Sequence, residues 1–219
     1  MNDRSQVALI GDLVGSRKAR NREDLQRVLR QALQWANSSL VPAQDLEPTV
    51  GDEFQGVFQD VGSAVRATLL LRLYLLKERD VDARFGLGFG EVTVFESRTP
   101  LSQDGPGWWA ARGAIDRIDE MSHRGRTAFA RTYLESSELS RLPGGEVAAL
   151  NAFLLCRDAL VAQMKPRARR LLLGMILDTP QAELAAEEGI SQSAVSQSLA
   201  ANGAYAIEAA QLELDGKLR

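Results

Sequence analysis

Apolar positions along the chain recur with two different periods, and the switches between them predict its elements. Val7-Ala8-Leu9-Ile10 is an unbroken apolar run and predicts a buried strand. From Asn21 to Asn37, Leu25, Val28, Leu29, Ala32, Leu33 and Ala36 fall on one face, which predicts an amphipathic helix. Leu40 to Pro48 reads as a loop feeding a strand–turn–strand hairpin. Its arms are Pro48-Thr49-Val50 and Phe54-Gln55-Gly56-Val57-Phe58. Ala64, Val65, Thr68, Leu69, Leu73 and Leu76 mark a second helix from Val61 to about Arg79. From Arg84 to Phe95, Phe85, Leu87 and Phe89 alternate with Gly86, Gly88 and Gly90, a strand pattern. After a polar loop over Pro100 to Gly107, a helix is expected from Trp108 to about Met121. A strand follows near Thr127 to Tyr133.

The three glycines do not have the spacing of a dinucleotide fingerprint, and Glu91 to Phe95 continues as strand. Glycines inside a strand mean close approach of another backbone or of a ligand. The character of the chain changes at Ser136 to Gly145, rich in Ser, Gly and Pro. Glu146 to Met164 then reads as a long apolar helix, Pro166 opens the next, and everything beyond is helical. The expected organisation is an α+β chain: a βαββαβ domain over 1–140, a linker helix over 141–165, and an all-α domain over 166–219.

Two acidic turns carry the candidate chemistry. The first apolar strand runs into Gly11-Asp12-Leu13-Val14-Gly15-Ser16, and the hairpin turns at Gly51-Asp52-Glu53. A strand entering a glycine can turn tightly and present the next carboxylate at the sheet edge. Carboxylates on neighbouring strands, here Asp12 and Asp52, form a hard oxygen site suited to Mg²⁺ or Mn²⁺ carrying a phosphate. The simpler reading takes both as ordinary turn residues, since Gly-Asp is common in turns.

Composition narrows the field. A chain of 219 residues that is 45% hydrophobic has enough apolar surface to fold. With 26 Lys+Arg against 29 Asp+Glu the net charge is −3, so any nucleic-acid contact must be local. The single Cys156 lies in an apolar helical stretch and is expected to be a buried, inert thiol. The single His123, in the basic segment Ser122 to Arg126, argues against a Ser–His–Asp triad and against a His/Cys zinc site. The N-terminal residues lack the pattern of a signal peptide. The longest apolar run, Leu69 to Leu76, is interrupted by Arg72. A cytoplasmic protein with no membrane association is expected.

Pro180 to Leu199 has the pattern of a helix-turn-helix. Leu184 and Ala185 pack the first helix, Gly189 turns, and Ile190 plugs. Ser191 caps the second helix, and Val195 and Leu199 anchor it. The exposed face would carry Gln192, Ser193, Ser196 and Gln197, side chains able to bond base edges or phosphates of double-stranded DNA. That helix has no cation and Glu187-Glu188 flank its turn, so phosphate contacts fall to Arg167, Arg169 and Arg170 upstream. The alternative is a trihelical module for dimerisation or protein contact.

These segments carry a resemblance. The Gly11–Ser16 segment resembles the first-strand metal motif of class III nucleotidyl cyclases. Thr49 to Phe54 resembles their hairpin turn and the signature of diguanylate cyclases. Arg84 to Val92 resembles their arginine-and-glycine strand, and Ala110-Ala111-Arg112 the helix carrying their transition-state arginine. The resemblance implies a ferredoxin-like palm with Asp12 and Asp52 on the metal and Arg112 on the transferring phosphoryl group. It also implies a nucleotide or nucleotide-like ligand cradled over Leu13, Val14, Gly15, Ser16, Gly51 and Glu53, and a head-to-tail homodimer. The family's asparagine falls on Trp108, its base-selecting lysine on Pro48, and the loop at Asp104 to Gly107 is one residue short. Trp108-Trp109 could stack on a base or serve as core or dimer contacts. With the C-terminal helices included, the chain resembles the SatD family over nearly its whole length. The leading expectation is a ligand-responsive DNA-binding regulator. An active nucleotidyl cyclase or transferase controlled by its helical domain, and a catalytically dead scaffold, stand as alternatives.

Overall fold

The apolar run at the start of the chain forms the centre of a sheet. In the computed structural model, which describes residues 5–16, 21–94, 103–139 and 142–217, strand β1 spans Ser5–Leu13. Val7 to Ile10 are buried on both faces. Helix α1 (Arg22–Leu40) follows, then β2 (Gln44–Pro48), β3 (Phe54–Phe58), α2 (Val61–Arg79) and β4 (Ala83–Glu91). The short strands β5 (Thr93–Val94) and β6 (Gln103–Asp104) pair with each other. Helix α3 (Pro106–Ser122) and strand β7 (Thr132–Ser136) complete the sheet half. The remainder is helical: α4 (Gly144–Gln163), α5 (Pro166–Ile176), α6 (Gln181–Glu188), α7 (Gln192–Ala201) and α8 (Ala204–Leu214). The strand order is β2-β3-β1-β4-β7. The first four strands are antiparallel to their neighbours, and β7 is parallel to β4 across the α3 crossover.

Period-two alternation splits β1 between two cores. Val7, Leu9, Leu13, Phe85 and Leu87 pack beneath α1 and α2, while Ala8, Ile10 and Val57 pack under α3. A third core joins Leu69, Leu70 and Leu73 of α2 to Leu171 and Leu172 of α5, Val195 and Leu199 of α7, and Ile207 of α8. Side-chain caps begin α1 and α2: Asn21 accepts from the Asp24 amide (3.0 Å) and Asp60 from that of Ser63 (2.8 Å).

The glycines of β4 serve a helix and not a ligand. A Cβ at Gly86 would overlap the backbone of Ala111 and Ile115, and one at Gly88 that of Gly107 and Ala111. Their absence lets α3 lie directly on the strand.

Several local expectations are corrected. Residues 44–48 form an edge strand, not a loop; its polar side chains and Pro48 suit an edge, and only Leu46 is buried. Val50, expected in a strand arm, is 73% exposed in the turn. The last sheet strand begins at Thr132, five residues after the expected start, because its register follows parallel pairing with β4. Cys156 is exposed: α4 turns Asn151, Leu154, Arg157, Asp158 and Val161 inward, so its buried stripe is partly polar. The strand expected to reach Phe95 ends at Glu91, and Thr93–Val94 pairs instead with Gln103–Asp104 inside the expected loop; Phe95 and residues 100–102 lie outside the described residues.

That inward stripe closes a buried ionic cluster. Asp158 accepts from the Arg131 and Thr132 amides (both 2.7 Å), from Arg72 (3.3 Å) and from Arg157 (3.2 Å). Asp82, at the entrance to β4, accepts from Arg72 (2.8 Å) and Arg131 (2.7 Å). Burial pushes the Asp82 carboxyl up, but these two guanidiniums outweigh it and hold it below its ordinary range. Complete burial draws the Arg157 guanidinium downward.

Candidate functional site

At the end of β1, register places Asp12 opposite Arg84 of β4. Arg84 grips it with a fork, Nε to Oδ1 at 3.0 Å and Nη2 to Oδ2 at 2.6 Å. Arg84 also meets the Asp119 carboxylate and donates to Ser122 Oγ at 3.2 Å, tying α3 to the same strand end. The hairpin turn closes on Gly51, whose φ of 70° is one that glycine adopts freely. Ser16 Oγ donates to Asp52 at 2.5 Å, so the two acidic turns touch. Arg112 of α3 forks onto Glu53 at 2.7 and 2.8 Å, and that hydrogen-bonded carboxylate raises the arginine's pKa above its usual value.

Together these groups line one cavity of about 620 Å³. Asp12, Leu13, Val14, Gly15, Ser16, Asp52, Glu53 and Arg112 all border it, so the structure brings together the expected metal, catalytic and most of the expected nucleotide-binding residues. Gly51 does not border it; its carbonyl accepts from Gln26 of α1. The Val14 amide, expected to cradle phosphate, donates instead to the Asp82 carbonyl at 2.8 Å. Trp108 is buried against Ala8, Ile10 and Val57, facing core where the cyclase pattern places a polar asparagine. Trp109 is 63% exposed, donates to Asp104 at 2.8 Å and lies outside the cavity lining.

Among the described residues, no three His, Cys, Asp or Glu side chains group into a metal cage. The Asp12 and Asp52 carboxylates are among those bordering the cavity, and Mg²⁺ typically takes one or two carboxylates together with water and phosphate oxygens. Arg84 occupies both Asp12 oxygens and Ser16 one oxygen of Asp52, so Asp52 is the less encumbered donor for a Mg²⁺ or Mn²⁺ arriving with a phosphate. Five carboxylates border the cavity against three guanidiniums, so a bare polyanion is opposed there and a cation-paired one is not.

In the C-terminal helices, α6 ends at Gly189 with φ 63°, and Ser191 Oγ accepts from the Ala194 amide at 3.2 Å to start α7. Gln192, Ser193 and Gln197 are exposed, and Ser196 is half-buried, 3.5 Å from the Tyr205 hydroxyl. The three arginines are unequal. Arg170 forks onto Glu188 at 2.6 and 2.7 Å and holds that carboxyl below its ordinary range. Arg169 donates to the Val161 and Ala162 carbonyls at 3.4 Å. Arg167, 57% exposed and 3.7 Å from Glu188, is the most open of them.

The sequence model of the SatD family matches residues 6–207. The chain belongs to the SatD family. No curated protein matches it. Two solved structures of a bacterial light-regulated adenylyl cyclase align with 59% of the chain at 14% identity and a TM-score of 0.42. The aligned part is 74% of one of those chains and 42% of the other. In this SatD chain, Asp116 and Asp119 of α3 and His123 just beyond it also border the cavity; the sequence singled out only His123, as a poor triad or zinc candidate. Their signal was available: with Arg112 they recur at three- and four-residue steps on one helix face. Arg131, bordering the cavity from the entrance to β7, had no comparable signal.

Proposed function

We propose that this protein binds a nucleotide-like phosphate ester carried by Mg²⁺ in the Asp12–Asp52–Arg112 cavity, and that α6 and α7 pass occupancy on to double-stranded DNA as a helix-turn-helix. The observation that carries the reading is the convergence on one cavity of three segments distant in sequence. The βαββαβ order of the first six elements, with strand order β2-β3-β1-β4, supports a palm of the split-βαβ type. A bound divalent cation would supply neutralisation of phosphate charge. Around it, Ser16 orients Asp52, Arg84 orients Asp12, and Glu53 holds Arg112 over the cavity until a phosphate competes for it. A nucleotidyl cyclase or transferase is the second reading, favoured by Arg112 bordering the same cavity as both carboxylates. Burial of Trp108 in place of the asparagine favours binding over turnover.

Calorimetric titration with each NTP, with and without Mg²⁺, tests the site. Asp52→Ala is expected to lower Mg²⁺-dependent affinity by roughly tenfold or more, about 1.4 kcal/mol for each factor of ten. Asp12→Ala should lower the Mg²⁺ dependence but lose less affinity, because it frees the Arg84 fork for phosphate. Unchanged titrations in folded variants would remove the site. A new phosphate-ester product in the mass spectrum of the wild-type mixture would establish the second reading.

For DNA, exposed Gln192, Ser193 and Gln197 would choose the sequence, in a homodimer whose contacts include exposed Trp109. Arg167→Ala is expected to flatten the salt dependence of binding by up to about 0.9. Arg170→Ala should lower stability with little change in that slope, since Arg170 already holds Glu188. Selection from a random duplex library, with and without NTP and Mg²⁺, checks the proposal. If no duplex is enriched, the helix pair is a protein-contact module.

A further inference from the structure

A second cavity, of about 380 Å³, opens where the sheet half meets the C-terminal helices, between α2, α5 and α8. It is of a size that takes small molecules, and it lies at a junction of the kind where such sites occur. Its floor is apolar: Leu69 of α2, Ile176 of α5 and Ile207 of α8. Above that floor stand opposite charges from the two halves. Arg66 of α2 donates through one guanidinium nitrogen to the Ile176 carbonyl at 2.8 Å, and Glu208 of α8, Asp178 and Lys217 also stand on the rim. Asp215 on the same rim is already engaged, by Lys217 at 3.8 Å and by Gln211 Nε2 at 2.9 Å.

Gln211 adds a second, independent observation. It is 4% exposed and borders the cavity. Its Nε2 bridges the Gly62 carbonyl at 3.0 Å and Asp215, while its Oε1 is buried with no hydrogen-bond partner among the described residues. A buried amide oxygen left so is unfavourable unless a donor reaches it from a ligand or a water. The guanidinium calls for a carboxylate, Glu208 and Asp178 for an ammonium, Oε1 for an N–H, and the floor for an aliphatic chain. All are present around one carbon of a free aliphatic α-amino acid. A phosphate ester fits poorly, because the rim's three carboxylates, Asp178, Glu208 and Asp215, outnumber its two cations, Arg66 and Lys217.

We propose that this cavity is an effector site for an aliphatic α-amino acid. Bound there, the ligand links Arg66 on the sheet half to Glu208 on the last helix and sets how the C-terminal helices sit on α2. The site is independent of the Asp12–Asp52 cavity.

The test titrates the full chain by calorimetry with L-valine, L-leucine and L-isoleucine. It includes two truncated probes, isoamylamine, which lacks the carboxylate, and 4-methylpentanoate, which lacks the ammonium. At least one amino acid should bind, with both truncated probes weaker by roughly tenfold or more. Arg66→Gln should abolish the advantage of L-leucine over isoamylamine, and Glu208→Gln its advantage over 4-methylpentanoate. Ile207→Trp, which fills the cavity, should abolish binding altogether. The proposal falls if none of the three amino acids binds at millimolar concentration, or if binding is the same in all three variants. It also falls if isoamylamine binds as tightly as L-leucine.

Discussion

Asp158→Ala is expected to lower the free energy of unfolding by about 3–5 kcal/mol, because it strands a buried guanidinium without its counter-charge. Arg157, 1% exposed, would keep hydrogen bonds to the Val65 carbonyl and to the Thr68 and Thr132 hydroxyls, but no carboxylate. Arg72 would lose one of its two carboxylates, and the Arg131 and Thr132 amides would lose their acceptor. For a chain of this length the shift in Tm is roughly 6–20 °C, against a total stability of about 5–15 kcal/mol. Asp158→Asn, with its oxygen in the place of Oδ2, keeps the acceptor for both amides in the same shape and should cost less. Chemical denaturation of the three proteins measures both. A loss under about 1 kcal/mol for the alanine variant would mean that the cluster is solvated, since surface ion pairs contribute only that much.

The same cluster reaches the candidate site. Asp82, held by Arg72 and Arg131, offers its carbonyl to the Val14 amide, and Arg131 itself borders the cavity. The loop after Asp12 is thus fixed from α2 and α4 as well as from β1. Asp158 variants that remain folded should therefore also bind NTP more weakly.

This long-range wiring separates what was legible in the chain from what was not. Periodic apolar residues placed α2 at Val61–Arg79 and marked the inward face of α1, because a helix reports its own burial every three to four residues. The two acidic turns were legible because each is local, a glycine followed by a carboxylate, and both reach one cavity. Arg72 was read only as an interruption of an apolar run. The structure buries it, since its counter-charges Asp82 and Asp158 come from other elements. Arg157 and Asp158 were masked in the same way inside a helix of high mean apolarity, which turned Cys156 outward. Arg169 and Arg170 looked available to DNA phosphate until α4 carbonyls and Glu188 claimed them. Charge in sequence shows that a partner is needed without naming it.

Gly88→Ala is expected to cost about 1–3 kcal/mol or more and, unlike a simple destabilising change, to weaken NTP binding as well. The added methyl would meet backbone atoms of Gly107 and Ala111, which cannot swing aside as a side chain would. Relief requires α3 to lift from β4. That helix carries Arg112, Asp116 and Asp119 into the cavity and is held there by Arg84 and Glu53. Lifting it breaks the Glu53–Arg112 fork and widens the space between Asp52 and Arg112, so Mg²⁺–NTP affinity should fall by roughly tenfold. Gly144→Ala is the matched control: a Cβ there meets nothing within 4 Å, and the change should stay within about 0.5 kcal/mol with binding unaltered. Denaturation and calorimetry on the two variants separate the effects. If Gly88→Ala loses stability but keeps wild-type affinity at temperatures where it is folded, α3 tilts without moving Arg112, and the glycine stripe serves packing alone.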